Sequence, residues 1–129
     1  MKSQELQGLR VGNWVVTNFG TYKVASINAN KCTLKTPYEE ISYSLINCDP
    51  VPTTTELLTE CGFKMIRGKK VSFVKTVKGV CENDIFLSVN SDYSMSINNS
   101  LEKLDVSKFH KLQNTYLTLT GGELLPRRN

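Results

Sequence analysis

The stretch 105-DVSKFHKLQNTYLTLTGG-122 carries a helix start, a helix face and a helix stop. Asp105 is a residue type that accepts from the free N–H groups of a first turn. Gly121 or Gly122 takes the left-handed conformation that ends a helix. At about 100° per residue, Val106, Phe109, Leu112, Tyr116, Leu117 and Leu119 share an arc of roughly 160°. Ser107, Lys108, Lys111, Asn114, Thr115 and Thr118 fill the rest. The pattern predicts an amphipathic helix over 105–120 that packs its apolar stripe inward.

Two residues break the stripe. Gln113 falls between Phe109 and Val106, near the middle of the apolar face. A buried amide without partners costs about 1–3 kcal/mol. Gln113 therefore either ties the helix to a strand or loop backbone or serves as a recognition amide at a groove mouth. His110, the single histidine, lies at the edge of the arc. One histidine without thiolate or carboxylate partners builds no metal site, and no nucleophile is marked beside it. A half-buried structural histidine is the expectation.

The composition bounds the rest. A chain of 129 residues predicts one compact domain, large enough to fold without disulfides or metals. Cys32, Cys48, Cys61 and Cys81 lie 16, 13 and 20 residues apart, with no C-x-x-C, which argues against a zinc ribbon. Buried free thiols in a reducing cytosol are expected. The N-terminal residues are polar and expected to be loose, with no apolar signal core. No apolar run approaches the ~20 residues of a membrane span. The expectation is a cytoplasmic protein with no membrane contact, metal or cofactor.

Outward from the helix, the sequence reads as short strands. Residues 8–52 hold strands within Leu9–Thr17, Thr21–Ile27, Lys31–Lys35 and Glu40–Ile46, each with period-two alternation. Asp49-Pro50-Val51-Pro52 reads as a proline-bounded exit. The VGNWVV opening resembles that of SH3-like barrels, such as those of ribosomal and transcription proteins, a fold that hosts nucleic-acid and peptide binding alike. Residues 53–62 form a short helix opened by a Thr53-x-x-Glu56 capping box and closed by Gly62. Residues 63–98 hold strands at Lys70–Lys75, Asp84–Asn90 and Tyr93–Ile97, the last two forming the clearest hairpin. The fold class is α+β: two small antiparallel β units, a short connecting helix and a packed C-terminal helix.

The run FHKLQNTYLTLTGGEL resembles the C-terminal signature of a family of small uncharacterised proteins of gut anaerobes, often encoded by prophages or other mobile elements. The residues that carry it are His110, Leu112, Gln113, Asn114, Tyr116, Leu119, Thr120, Gly121, Glu123 and Leu124. An opening L-R-x-G-N-x-V segment is matched by Leu9, Arg10, Gly12, Asn13 and Val15. Midway through the sequence, a C-G-F turn is matched by Cys61, Gly62 and Phe63. Phe109, Lys111, Thr115 and the added Gly122 depart from the pattern. The resemblance implies a shared fold and carries no activity.

Candidate chemistry is sparse. No Walker A, dinucleotide-binding, H-E-x-x-H or G-x-S-x-G pattern occurs. Glu39, Glu40 and Asp84 are carboxylates without a positioned acid/base partner. The net charge is +4, yet Lys64, Arg67, Lys69, Lys70, Lys75 and Lys78 stand between Cys61 and Cys81 with no acid among them. Those six are candidate phosphate contacts. The plainer reading is a solvated sheet edge blunted by lysines. Trp14, Phe19 and Tyr22 surround one turn and form either core or an exposed aromatic patch. The reading that follows is a non-enzymatic protein-interaction or assembly module. The alternative is a nucleic-acid-binding accessory protein using the 64–78 stretch. An enzyme would need a cleft that gathers His110 with a carboxylate or thiol.

Overall fold

The computed structural model describes residues 6–68 and 70–126. Among the described residues, ten strands fall into two five-stranded antiparallel sheets, with a short helix between them in sequence and a helix near the C-terminus. The α+β class read from the sequence is the observed one. Contacts group into two compact units. One takes the residues up to Pro52 together with Lys108–Asn114; the other takes Thr53–Ser107 and the residues from Thr115 on.

The first sheet comprises β1 (Trp14–Thr17), β2 (Gly20–Asn28), β3 (Lys31–Lys35), β4 (Glu40–Ser44) and β5 (Asp49–Pro50), in the order β4-β3-β2-β1-β5. A 3₁₀ turn over Leu45–Asn47 replaces the end of the expected fourth strand. The pair Val15↔Tyr22 and the row Val24↔Leu34↔Ile41 lie on one face, because directly opposed residues share a face. Val15, Val24, Cys32, Leu34 and Cys48 make the core of this unit, with Tyr22, Ile41 and Tyr43 packed against it. Leu6 is buried in the same core, so the N-terminal segment expected to be loose is docked from that residue on. The proline-bounded exit is a strand: Asp49 and Pro50 pair with Val16 and Val15. Pro50 is tolerated because β5 is an edge strand, where a missing N–H costs no ladder bond.

In the second unit, α1 (Thr55–Glu60) leads into β6 (Lys64–Arg67), β7 (Val71–Lys78), β8 (Asp84–Asn90), β9 (Ser94–Ile97) and β10 (Leu104–Asp105), paired in sequence order. The predicted hairpin is present, with Leu87↔Ile97 and Val89↔Met95 in register. Ile85, Leu87 and Val89 are buried, as their alternation requires. Tyr93 leaves the strand and takes φ 60° in the turn instead. The capping residue of α1 is Thr54, whose hydroxyl accepts from the Leu57 N–H. Thr53, expected in that role, is buried and donates its hydroxyl to the Val106 carbonyl.

The C-terminal helix, α2 (Phe109–Thr120), starts four residues later than its sequence pattern suggests. Asp105 pairs with Ser94 in β10 and accepts from the Ser107 N–H, so its carboxylate closes a turn rather than capping a helix. Phe109 donates its N–H to the Val51 carbonyl, a backbone partner that stands in for a capping residue. Phe109, His110, Leu112 and Gln113 are buried, and this half of α2 packs against the first sheet. Tyr116, Leu117 and Leu119 are half-buried. In the second unit, Leu119 accepts from the Val80 N–H.

Candidate functional site

The densest polar construction in the first unit joins the loop before β1 to α2. Gly12, at φ 94°, turns the backbone into β1, a conformation that suits a residue without Cβ. The turn buries Asn13, and Arg10 donates its N–H to Asn13 Oδ1 at 2.7 Å. The Asn13 amide then donates to Gln113 Oε1 at 3.3 Å and to Asn114 Oδ1 at 2.9 Å. Gln113 Oε1 also accepts from the Trp14 N–H at 3.2 Å, and Asn114 donates to the Gly8 carbonyl at 2.6 Å. Gln113 thus ties the helix to backbone and loop. Beside it, the Trp14 and Phe109 rings meet edge to face, centroids 6.0 Å apart. Asn13 of the opening segment thus meets Gln113 and Asn114 of the C-terminal run.

His110 is fully buried, deeper than the half-buried position expected. Its Nε2 lies 3.1 Å from the Gln7 carbonyl. A carbonyl only accepts, so Nε2 carries the proton and Nδ1 is the bare nitrogen. Nδ1 is buried without a hydrogen-bond partner among the described residues. Burial holds the imidazole below its usual pKa, against the opposing pull of the Gln7 carbonyl; Lys111 and Lys108 push in the same direction as burial. The ring is neutral at pH 7 and closed to solvent. It serves the same docking as Gln113, fixing Gln7 onto α2.

The expected aromatic patch divides. Tyr22 lies opposite Val15 and packs on the core, while Trp14 lies opposite Lys23 on the other face and reaches α2. Phe19, at the tip of the β1–β2 turn, is 75% exposed. The Tyr22 hydroxyl donates to its carbonyl at 3.0 Å, which shapes the turn. The sequence reading passed over Tyr38, which is 96% exposed in the β3–β4 turn. In an antiparallel meander the β1–β2 and β3–β4 turns fall at the same end of the sheet. The available signal was Pro37-Tyr38, an aromatic placed in a turn where no core can receive it.

The basic stretch does not form one surface. Lys64 pairs with Val74, which shares a sheet face with Lys78, whereas Arg67 pairs with Val71 on the opposite face. Lys70 sits in the β6–β7 connection, and Lys69 lies outside the described residues. Lys78 is paired across the strands with Asp84. Lys75 is on the core face, opposite Leu87. Its Nζ donates to the Cys61 carbonyl at 2.7 Å, at the C-terminal end of α1, where a cation is favoured. The same ammonium stands 5.3 Å from the Tyr116 ring centroid and 5.9 Å from that of Phe63. Gly62, at φ 92°, makes room for it: a Cβ there would meet Nζ at 3.3 Å. Lys75 is thus committed to internal packing of the second unit.

An open hollow of about 710 Å³ on the second unit is lined by Lys70, Asn90, Asp92, Ser94 and Lys103 among others. Asn90 donates to the Ser94 hydroxyl, which donates to Asp92 Oδ1 at 2.6 Å. Those bonds from Ser94, chiefly the hydroxyl's, hold the Asp92 carboxyl below its usual pKa. The groups satisfy one another and shape the turn.

Cys32 and Cys48 face each other in the first core with sulfurs 3.8 Å apart. Burial raises both thiols, Cys48 to about 12. Among the described residues no three His, Cys, Asp or Glu side chains gather to hold a metal, and no helix is long and apolar enough to cross a membrane. Comparison with family models, curated proteins and solved structures finds no match.

Proposed function

We infer that the protein is a non-enzymatic protein-interaction or assembly module of the mobile-element-related family that its signature residues resemble. The supporting observation is the exposure of Phe19 and Tyr38, 75% and 96%, at one end of the first sheet. Aromatic side chains bring large contact area at low entropic cost and are enriched where proteins meet. The residue that a catalytic reading would use, His110, is fully buried in the first unit, with Nε2 bonded to the Gln7 carbonyl. The strand order, with β1 paired to β5, supports an SH3-like reading of the first sheet.

The test is affinity capture from host-cell extract with the intact protein and with the Phe19→Ser/Tyr38→Ser variant, at low and high salt. The reading expects a protein retained by the intact form at both salts and lost with the variant. Retention that ignores the two substitutions overturns it. So does capture of DNA or RNA that collapses with salt and with neutralisation of Lys64, Arg67, Lys69, Lys70 and Lys78. That outcome establishes the nucleic-acid alternative.

A further inference from the structure

Among the described residues, β6 is the outer strand of the second sheet and hydrogen-bonds to β7 along one side only. All four of its residues, Lys64, Met65, Ile66 and Arg67, are exposed. Met65 and Ile66, on opposite faces, are each 48% exposed. Every second residue of such a strand directs its N–H and C=O away from the sheet. The edge therefore offers backbone pairing together with two apolar side chains between two cations. Neither β6 nor β7 carries an acid.

We propose that the β6 edge takes an extended segment of another protein as an added antiparallel strand, one with acidic residues three positions apart flanking an apolar pair. Backbone bonds supply affinity in this mode, and side chains supply selection. The charges select against a second copy of this protein. Antiparallel self-pairing about the strand centre sets Lys64 opposite Arg67 of the other copy, and directly opposed like charges destabilise a ladder. The same cations attract an acidic strand in the same register. Met65 and Ile66 then gain cover from the partner's apolar residues. The proposal extends the interaction reading to a surface of the second unit, and its test involves neither Phe19 nor Tyr38.

The experiment titrates the full-length protein with the synthetic peptide STEVVETS, its basic counterpart STKVVKTS, and STEVVETS N-methylated at alternate amides. Binding is followed by backbone amide shifts. The acidic peptide is expected to bind about tenfold or more tighter than the basic one at low salt. Shifts should centre on β6, and N-methylation should abolish binding by removing the donors. Lys64→Glu/Arg67→Glu should reverse the preference between the two unmodified peptides. Equal binding of acidic and basic peptides, undiminished binding after N-methylation, or no binding of any peptide at millimolar concentration would each overturn the proposal.

Discussion

The side-chain amide of Asn13 donates to the side-chain oxygen of Gln113, one hundred residues further along the sequence. Both residues are buried. The opening turn and the first half of α2 specify each other, and the side-chain amides of Asn13, Gln113 and Asn114 find partners across their contact. Removing one partner from such a network costs more than the bond itself contributes, because the other is left desolvated.

Lys75 should behave as a core residue. Lys75→Met keeps the aliphatic stem but loses the bond to the Cys61 carbonyl and the contacts with the Tyr116 and Phe63 rings. A loss of about 1–3 kcal/mol is expected in denaturant unfolding. Lys78→Met removes only an exposed pair with Asp84 and should cost about 1 kcal/mol or less. Equal effects of the two substitutions would contradict the assignment.

His110 should make stability depend on pH. Its folded pKa is depressed by burial, so as pH falls through the ordinary value of 6.5 the unfolded state takes up a proton that the folded state resists. The unfolded state then binds more protons, and stability declines as pH drops from about 7 toward 5. His110→Gln removes the titration. Its melting temperature should lie below that of the unsubstituted protein at pH 7.5, with a shallower fall on acidification. Parallel pH profiles for the two proteins would exclude the histidine as the source.

The thiols should divide by access. Cys32, Cys48 and Cys61 are buried as expected, whereas Cys81 is exposed, against the expectation. With Cys48 raised to about 12 and Cys32 raised by burial, a thiol reagent at pH 8 should modify Cys81 quickly and the other three only on unfolding. Mass spectrometry of the native protein should find one label, and rapid labelling of Cys32 or Cys48 would show that the first core opens readily.

How much of this was legible in the sequence follows from the length scale of each signal. The apolar face of α2 was readable because Phe109 and Leu112 repeat at helical spacing, and Gln113 stood out by interrupting it. The helix start was not, because an Asp before a periodic run fits a cap and a turn equally well, and Asp105 closes a turn at the end of β10. β8 declared itself by alternation. β6 did not, since an edge strand exposed on both faces has no buried period, and β5 was hidden by Pro50 within it and Pro52 just beyond it. Asn13 looked like an ordinary turn residue, because its partners Gln113 and Asn114 lie about a hundred positions away. Lys75 looked solvated for the same reason: Cys61 and Tyr116, which hold its ammonium, are distant in sequence.

The most direct measurement is a double-mutant cycle on Asn13→Ala and Gln113→Ala by equilibrium unfolding. If the clamp organises the first unit, each substitution should cost about 1–3 kcal/mol, and the pair should cost less than the sum by about 1 kcal/mol or more. Single losses near zero, or strict additivity, would contradict the claim that these residues serve the fold, and would return Gln113 to consideration as a recognition group.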